Sequence, residues 1–536
     1  VEKYFGDIPA GPPLVKPDVW IAKRNEEKRD IMYDNVPQAR IYKVWNVPPR
    51  DTEAAAHFDL ASSILVGGKN SPLFKELVYE KQIATSVSAF YYDREIAGMF
   101  IVTVDVAAGE DPIEVERKMD NVLQTFIQKG PNRKLLDAEK TKALASFIRG
   151  AQRIGGFGGK SDLLATCQTY TGNPGCYINN AKYIDESTSG KIKSTFSEWI
   201  DNTPYVLTIL PSDKLATNES TVDRSKGIPY PTEKISFKFP SLQTAELSNG
   251  AKVVLAERKN IPLVEMNIQF DFGYAQEDAD QIGYTNFMMD MLNEGTKKYS
   301  SLEFDEVLDS LGANMGFGSD LDTSYVSISS LKSNLDETLD LAKEAIMFPT
   351  FPETEIARIK NQTLAALKRA EFQPGSIAFR NIGNLLYGEN HPYGKLRIGS
   401  GATQAIESID SKKLSNIHKL ALNPNHVTFT VAGDITLDEI VSLLESKFGK
   451  WMSGSDTDLK NIPNVALPEK RKVYLINKPN AEQSYIVAGQ LLPPSATSEE
   501  FKIDYMNYAI GGSFTSRLNM NLREDKSWSY GVRTRL

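Results

Sequence analysis

Arg523 and Tyr530, seven residues apart in L-R-E-D-K-S-W-S-Y-G-V, are side chains that could act on a substrate. A guanidinium stays charged and presents fixed donors, and a phenol adds a hydroxyl; both kinds of group stabilise an oxyanion. The plainer role for the same pair is an ion pair between Arg523 and a neighbouring acid, with Tyr530 as a strand residue. Asn286 and Asp290 stand four apart, on one face of a helix, yet an amide with a carboxylate is a poor, hard pair for zinc, and Met289 beside them cannot act as a base. Gly155, Gly156, Gly158 and Gly159 run into Lys160 and Ser161 and invite a phosphate-loop reading, but that motif needs Gly where Ile154 stands. A flexible loop is the plain reading there, and contact with a substrate at an interdomain cavity is the functional one. Cys167 and Cys176 are the only cysteines; without a CxxC spacing or a nearby His cluster they form neither a zinc site nor a redox motif. A local disulfide and two buried thiols both remain open. His391 has no acidic or His partner close by in sequence and reads as a structural loop residue.

Strands and helices must hold these groups in place. From Val264 to Phe272 the apolar residues Val264, Met266, Ile268, Phe270 and Phe272 alternate with polar ones, which predicts a half-buried strand. Val427, Phe429 and Val431 alternate with threonines in the same way, and Gly433-Asp434 then turns the chain into a helix over 437–448. Helical spacing runs over 304–311, over 335–347 with the apolar stripe Leu335, Leu339, Leu341, Ala342 and Ile346, and over 353–370. Strands and helices alternate without βαβ regularity, so the fold class is α+β, with antiparallel sheets packed by helices. Hydrophobic residues at 41% and charged residues at 24% are ordinary for a chain with a sizeable core, and 536 residues allow roughly three domains. A net charge of −8 without any basic domain argues against a nucleic-acid partner. No apolar run of 18 residues or more is present, so no membrane span is predicted.

A long-range repeat organises the chain. Pro48-Pro49 and Pro493-Pro494 lie 445 residues apart, and the same offset aligns Gln38 with Gln483, Gly67 with Gly512, Leu77 with Leu522 and Lys81 with Lys526. Glu2 and Phe5-Gly6 likewise match Glu445 and Phe448-Gly449. The predicted organisation is the end of a first domain at 1–11, a second domain at 12–211, a linker at 212–237, a third domain at 238–452, a linker at 453–465 and the start of a fourth at 466–536. The opening V-E-K-Y-F-G carries no initiator Met and no leader, so any targeting segment is expected upstream.

The segment G-Y-T-N-F-M-M-D-M-L-N-E-G-T over 283–296 resembles the zinc-site segment G-L-A-H-F-L-E-H-M-L-F-K-G-T of the pitrilysin/insulinase (inverzincin) metallopeptidases. The flanks match and the chemistry does not: Asn286, Met289 and Asp290 stand where the H-x-x-E-H helix has its histidines and its glutamate. The family's third ligand is a Glu on a later helix, and the corresponding stretch, 362–366, reads Q-T-L-A-A. The resemblance therefore implies a third domain with a degenerate zinc motif, no metal in this chain, and zinc held by a first, catalytic domain upstream. It further implies that Arg523 and Tyr530 are the pair that binds substrate across from zinc; their repeat mates are Val78 and Thr85. The expected partners are a peptide or unfolded polypeptide substrate and that upstream domain, the isolated chain is expected to be inactive, and the resemblance leans towards an exported bacterial protein. The alternatives are a non-catalytic scaffold or partner subunit, and a peptide-binding module.

Overall fold

The computed structural model describes residues 18–34, 38–200, 203–211, 241–259, 261–394, 402–451, 462–467, 470–479, 483–495 and 497–536, with residues 11, 36 and 481. The linker read at 212–237 lies outside them, as do residues 1–10 of the tail and residues 453–461 of the second linker.

Alternation along Arg40–Val47 (β2) turns Ile41, Trp45 and Val47 inward, and the strand sits in a five-stranded sheet with Lys28–Asp34 (β1), Ala84–Tyr92 (β3), Gly98–Val106 (β4) and Tyr205–Pro211 (β5) in the order β1-β5-β2-β4-β3. The helix Glu53–Val66 (α1) starts where the Thr52 hydroxyl accepts from the Ala55 amide, and it buries Phe58, Ala61, Ile64 and Leu65. Phe58, Phe100 and Phe196 meet at ring separations of 5.0–5.6 Å, so strand, helix and the later helix Ser189–Trp199 share one core. Between them run Pro112–Lys129 (α2), Arg133–Gly150 (α3), Lys160–Thr171 (α4) and Cys176–Asp185 (α5); Ser189–Trp199 is α6.

The second sheet repeats that connectivity. Lys252–Glu257 (β7), Leu263–Phe270 (β8), Asn314–Ser319 (β9), Ser324–Leu331 (β10) and Val427–Gly433 (β11), edged by Gln243–Glu246 (β6), take the order β6-β7-β11-β8-β10-β9. In each sheet the last strand pairs in parallel with the first, β5 with β1 and β11 with β7, while the other pairings are antiparallel. The sheets are therefore mixed and not wholly antiparallel: several helices separate the last strand from its neighbours, and a crossover of that length permits either direction. Val264, Met266, Ile268 and Phe270 are buried in strict alternation, as the period-two pattern requires.

Around this sheet lie Tyr284–Asp290 (α7), Ser301–Ser310 (α8), Leu335–Met347 (α9), Glu353–Ala370 (α10), Pro374–Tyr387 (α11), Ala402–Glu407 (α12), Ser411–Ala421 (α13) and Leu437–Phe448 (α14). The stripe Leu335, Leu339, Leu341, Ala342 and Ile346 is buried along α9. Helix α8 begins three residues before the apolar pattern because Ser300 and Glu303 form a reciprocal capping box.

The 445-residue repeat recurs in detail. The short helix Pro72–Phe74 leads into a π-helix at Lys75–Glu80, and Arg517–Asn519 leads into another at Met520–Asp525. Gln82 and Ser527, at the same offset, both adopt φ 53°, an uncommon conformation for residues with a Cβ. The segments 471–478 and 484–494, which correspond to β1 and β2, carry no ladder among the described residues, and Val473, Leu475 and Ile486 are 88–95% exposed.

Candidate functional site

Helix α7 starts at Gly283, whose φ of 94° excludes most side chains, and the buried Glu277 carboxylate accepts from the amides of Gly283 and Thr285 at 2.7 and 2.6 Å. Acid at a helix start satisfies amides that have no intrahelical partner. That cap sets the rotation of the helix. Asn286 and Asp290 face a cleft of about 300 Å³, together with Gly283 and Phe287 from the same segment, Thr363, Ala366 and Leu367 of α10, and Ile406 of α12. Met289 points the other way and is fully buried in the core. The polar groups of this cleft are an amide, a carboxylate and a hydroxyl. They do not fit zinc, which takes thiolate, imidazole and carboxylate in a tetrahedral set. Among the described residues no cluster of three His, Cys, Asp or Glu could hold a metal ion. Asn286 is 5% exposed and its Nδ2 has no hydrogen-bond partner, a state that costs about 1–3 kcal/mol.

The same two elements clamp the first sheet's domain. Just beyond α7, Glu294 takes Arg358 of α10 at 2.5 Å, Ser301 at 2.6 Å and Lys69, from the turn after α1, at 2.9 Å. Arg358 also holds Glu355 at 2.8 Å, and Glu355 accepts from the Tyr79 hydroxyl at 2.6 Å. Burial alone would raise the Glu294 carboxyl, but Lys69 and Arg358 outweigh it and hold it below the usual range. A second junction has Lys142 of α3 between Glu139 and Asp309, where burial, opposed by Lys142 and reinforced by Asp305 and Glu139, pushes the Asp309 carboxyl up to about 6. Sequence reasoning missed both junctions. Glu294 follows Asn293 in a stretch that also carries Asp290, so no local pattern marks it, and its partner Lys69 lies 225 residues away.

Arg523 and Tyr530 come together. The guanidinium lies 5.3 Å from the Tyr530 ring centre and 4.9 Å from that of Phe514, while Tyr530 is 91% exposed. Arg523 Nε also pairs with Glu524 at 3.2 Å, the neighbouring-acid contact of the plainer reading. At the repeat positions Val78 is core and Thr85 accepts from Gln38 at 2.7 Å.

The glycines at 155–159 form the turn between α3 and α4, with Gly156 and Gly158 at φ 78° and 75° and Phe157 95% exposed beside them. Gly158 N–H donates to the Asp162 carboxylate at 2.8 Å, a donor that a phosphate cradle would need for its anion. Cys167 and Cys176 are joined by a disulfide, which ties α4 to the first residue of α5. His391 is buried, accepts from the Tyr393 amide at 3.0 Å and contacts the Pro463 carbonyl at 2.8 Å.

A family model described as "Peptidase M16 inactive domain" matches residues 1–143 and 408–536, just over half of the chain, and one described as "Insulinase (Peptidase family M16)" matches residues 252–396. The chain belongs to the insulinase family of peptidases. Within this family it is 26% identical over 285 residues to the uncharacterized zinc protease YmxG of Bacillus subtilis, covering 53% of this chain and 67% of that one. It is 23% identical over 301 residues to the non-peptidase homolog YmxG of Helicobacter pylori, covering 55% and 68%. A peptidase M16 inactive domain from Pseudomonas fluorescens aligns at a TM-score of 0.48 and 24% identity, over 54% of this chain and 69% of that one. Insulinase relatives thus carry zinc-protease names, while the described residues of this member hold no zinc site. No helix among the described residues is long and apolar enough to cross a membrane.

Proposed function

We propose that this chain is the C-terminal-side portion of a zinc-dependent endopeptidase or oligopeptidase, supplying part of the substrate chamber and a substrate-stabilising pair to a metal site held by an upstream domain. The observation that carries this reading is the pairing of Arg523 with Tyr530 at positions where the other copy has Val78 and Thr85. In this role the Arg523 guanidinium and the Tyr530 hydroxyl donate to the substrate carbonyl oxygen as it gains negative charge. The glycine turn at 155–159, with its exposed Phe157, is proposed as a further peptide contact. The Cys167–Cys176 disulfide supports an oxidising compartment, and hence export, as the place of work.

The test is cleavage of a quenched fluorescent peptide library by this chain, alone and mixed with the separately expressed upstream domain, with and without a zinc chelator. Activity is expected only in the mixture, and chelator or Arg523→Ala should abolish it. Removing one oxyanion donor typically costs roughly 10²–10³ in kcat. A second reading, a non-catalytic scaffold or partner subunit, is favoured by the degenerate cleft and by the non-peptidase name of one relative. Association without any cleavage would promote it over the enzyme reading.

A further inference from the structure

We infer that Phe514 and Glu524 are positioning residues for Arg523: they aim its guanidinium so that the two terminal nitrogens, and not Nε, are what a substrate meets. Phe514 precedes the short helix Arg517–Asn519, while Arg523 and Glu524 lie in the π-helix Met520–Asp525. The Glu524 carboxylate pairs with Nε at 3.2 Å. The Phe514 and Tyr530 rings lie 4.9 and 5.3 Å from the guanidinium carbon, within the reach at which a ring attracts a cation. Among the described residues nothing accepts a hydrogen bond from the Nη groups, and the side chain is 25% exposed. The neighbouring acid therefore does not compete with a substrate role. It holds one end of a planar fork whose other donors stay open, and the rings restrict the swing of a long side chain before any ligand arrives.

The cradle is itself tied together. Asn519 is buried; its Nδ2 donates to the Phe514 carbonyl at 2.7 Å and its Oδ1 accepts from the Val532 amide at 3.2 Å. One side chain thus fastens the turn that carries Phe514 to the segment that carries Tyr530. The internal repeat bears on the same residues independently. Gly512, Ser516, Leu518, Leu522 and Lys526 keep the identity of their mates at the 445-residue offset, whereas Phe514, Asn519, Arg523, Glu524 and Tyr530 stand where the first copy has Lys69, Phe74, Val78, Tyr79 and Thr85. In the first copy Lys69 and Tyr79 reach out to Glu294 and Glu355 of the third domain. In the second copy the same two positions turn to Arg523. A pair of interdomain contacts has been exchanged for a holder of one arginine. The inference rests on the reading of Arg523 as a substrate-facing group for its kinetic part only.

Two measurements test it. NMR of the whole chain carrying isotope-labelled arginine reports rotation about the Nε–Cζ bond, with the Arg523 signals identified by their loss in Arg523→Lys. Arg523 should give separate signals for its two Nη groups, and these should merge in Phe514→Leu and in Glu524→Gln but stay apart in Phe514→Tyr, which restores a ring. In the mixture with the upstream domain, Phe514→Leu and Glu524→Gln should each lower kcat on a cleaved library peptide by about tenfold to a hundredfold, the scale set by misplacing a reacting group, with KM little changed. Phe514→Tyr should regain most of that loss. Merged signals in the unaltered chain, signals that neither variant changes, or full kcat in both variants would each overturn the inference. The NMR readout needs no cleavage, so the outcomes separate: Arg523 signals as expected with no cleavage in any mixture removes the enzyme reading alone.

Discussion

Glu294 shows how one side chain can trade one kind of chemistry for another. It stands where the family segment has a Lys, and here it joins α7, α8 and α10 of the second sheet's domain to Lys69 of the first. Breaking a buried ion pair by removing one partner typically costs about 3–5 kcal/mol, because the other charge stays buried. Glu294→Gln should therefore lower stability by roughly that amount, read as a shift in the urea midpoint. Its carboxyl lies below the ordinary range, so its contribution is present at neutral pH and is lost as pH falls through the depressed value. Asp309 runs the opposite way. With its carboxyl raised to about 6, the folded chain holds that proton more tightly than the unfolded one, so this group's contribution is full below the ordinary carboxylate value and disappears as pH rises through 6. Asp309→Asn should flatten the stability profile between pH 4 and 7, an effect of order 1–3 kcal/mol measured by denaturation at a series of pH values.

At the scale of elements, α4 and α5 are the weakly held pair. Helix α4 buries only Cys167 and α5 buries no residue, so the disulfide carries much of what holds the two helices to each other. Closing so short a loop is worth roughly 2–3 kcal/mol in the chain-entropy account. Replacing both cysteines by Ser should accelerate hydrogen exchange across α4, α5 and the glycine turn, while leaving β2, β4 and β8 protected. Protection lost equally in the sheets would show that the hairpin is integral to the core. The two π-helices make a different point: Lys75–Glu80 and Met520–Asp525 hold one geometry although their sequences share only Leu77 and Leu522 among the six aligned positions. The flanking helix and the left-handed residue after each copy carry that geometry as much as the side chains do.

Across the whole molecule, two sheets of one connectivity each have a core of their own, and charged junctions join them. The segment 466–536 repeats the helices of the first sheet's domain but exposes the residues that would line its sheet. Val473, Leu475 and Ile486 are exposed apolar side chains of the kind that drive association. Changing these three to Thr should lower the fraction of associated species in sedimentation velocity without moving the main unfolding transition. An unchanged distribution would show that this surface does not mediate self-association.

Family and fold class were legible in the sequence because each rests on local pattern: alternation in β8, the stripe on α9, and the flanks of 283–296. The repeat was legible too, since helix starts and π-turn flanks recur at one offset. What only the tertiary structure decided depends on residues far apart in sequence. Whether Cys167 and Cys176 bond was open until the hairpin geometry brought their Cα atoms to 5.4 Å. The parallel placement of β5 and β11 follows from where long crossovers return, which periodicity does not encode. The lock of Glu294 with Lys69 and Arg358, and the cleft lined by Asn286 and Asp290, arise from packing α7 against α10 and one domain against another. Such contacts are long-range meetings of charge and shape, and neither leaves a period in the chain.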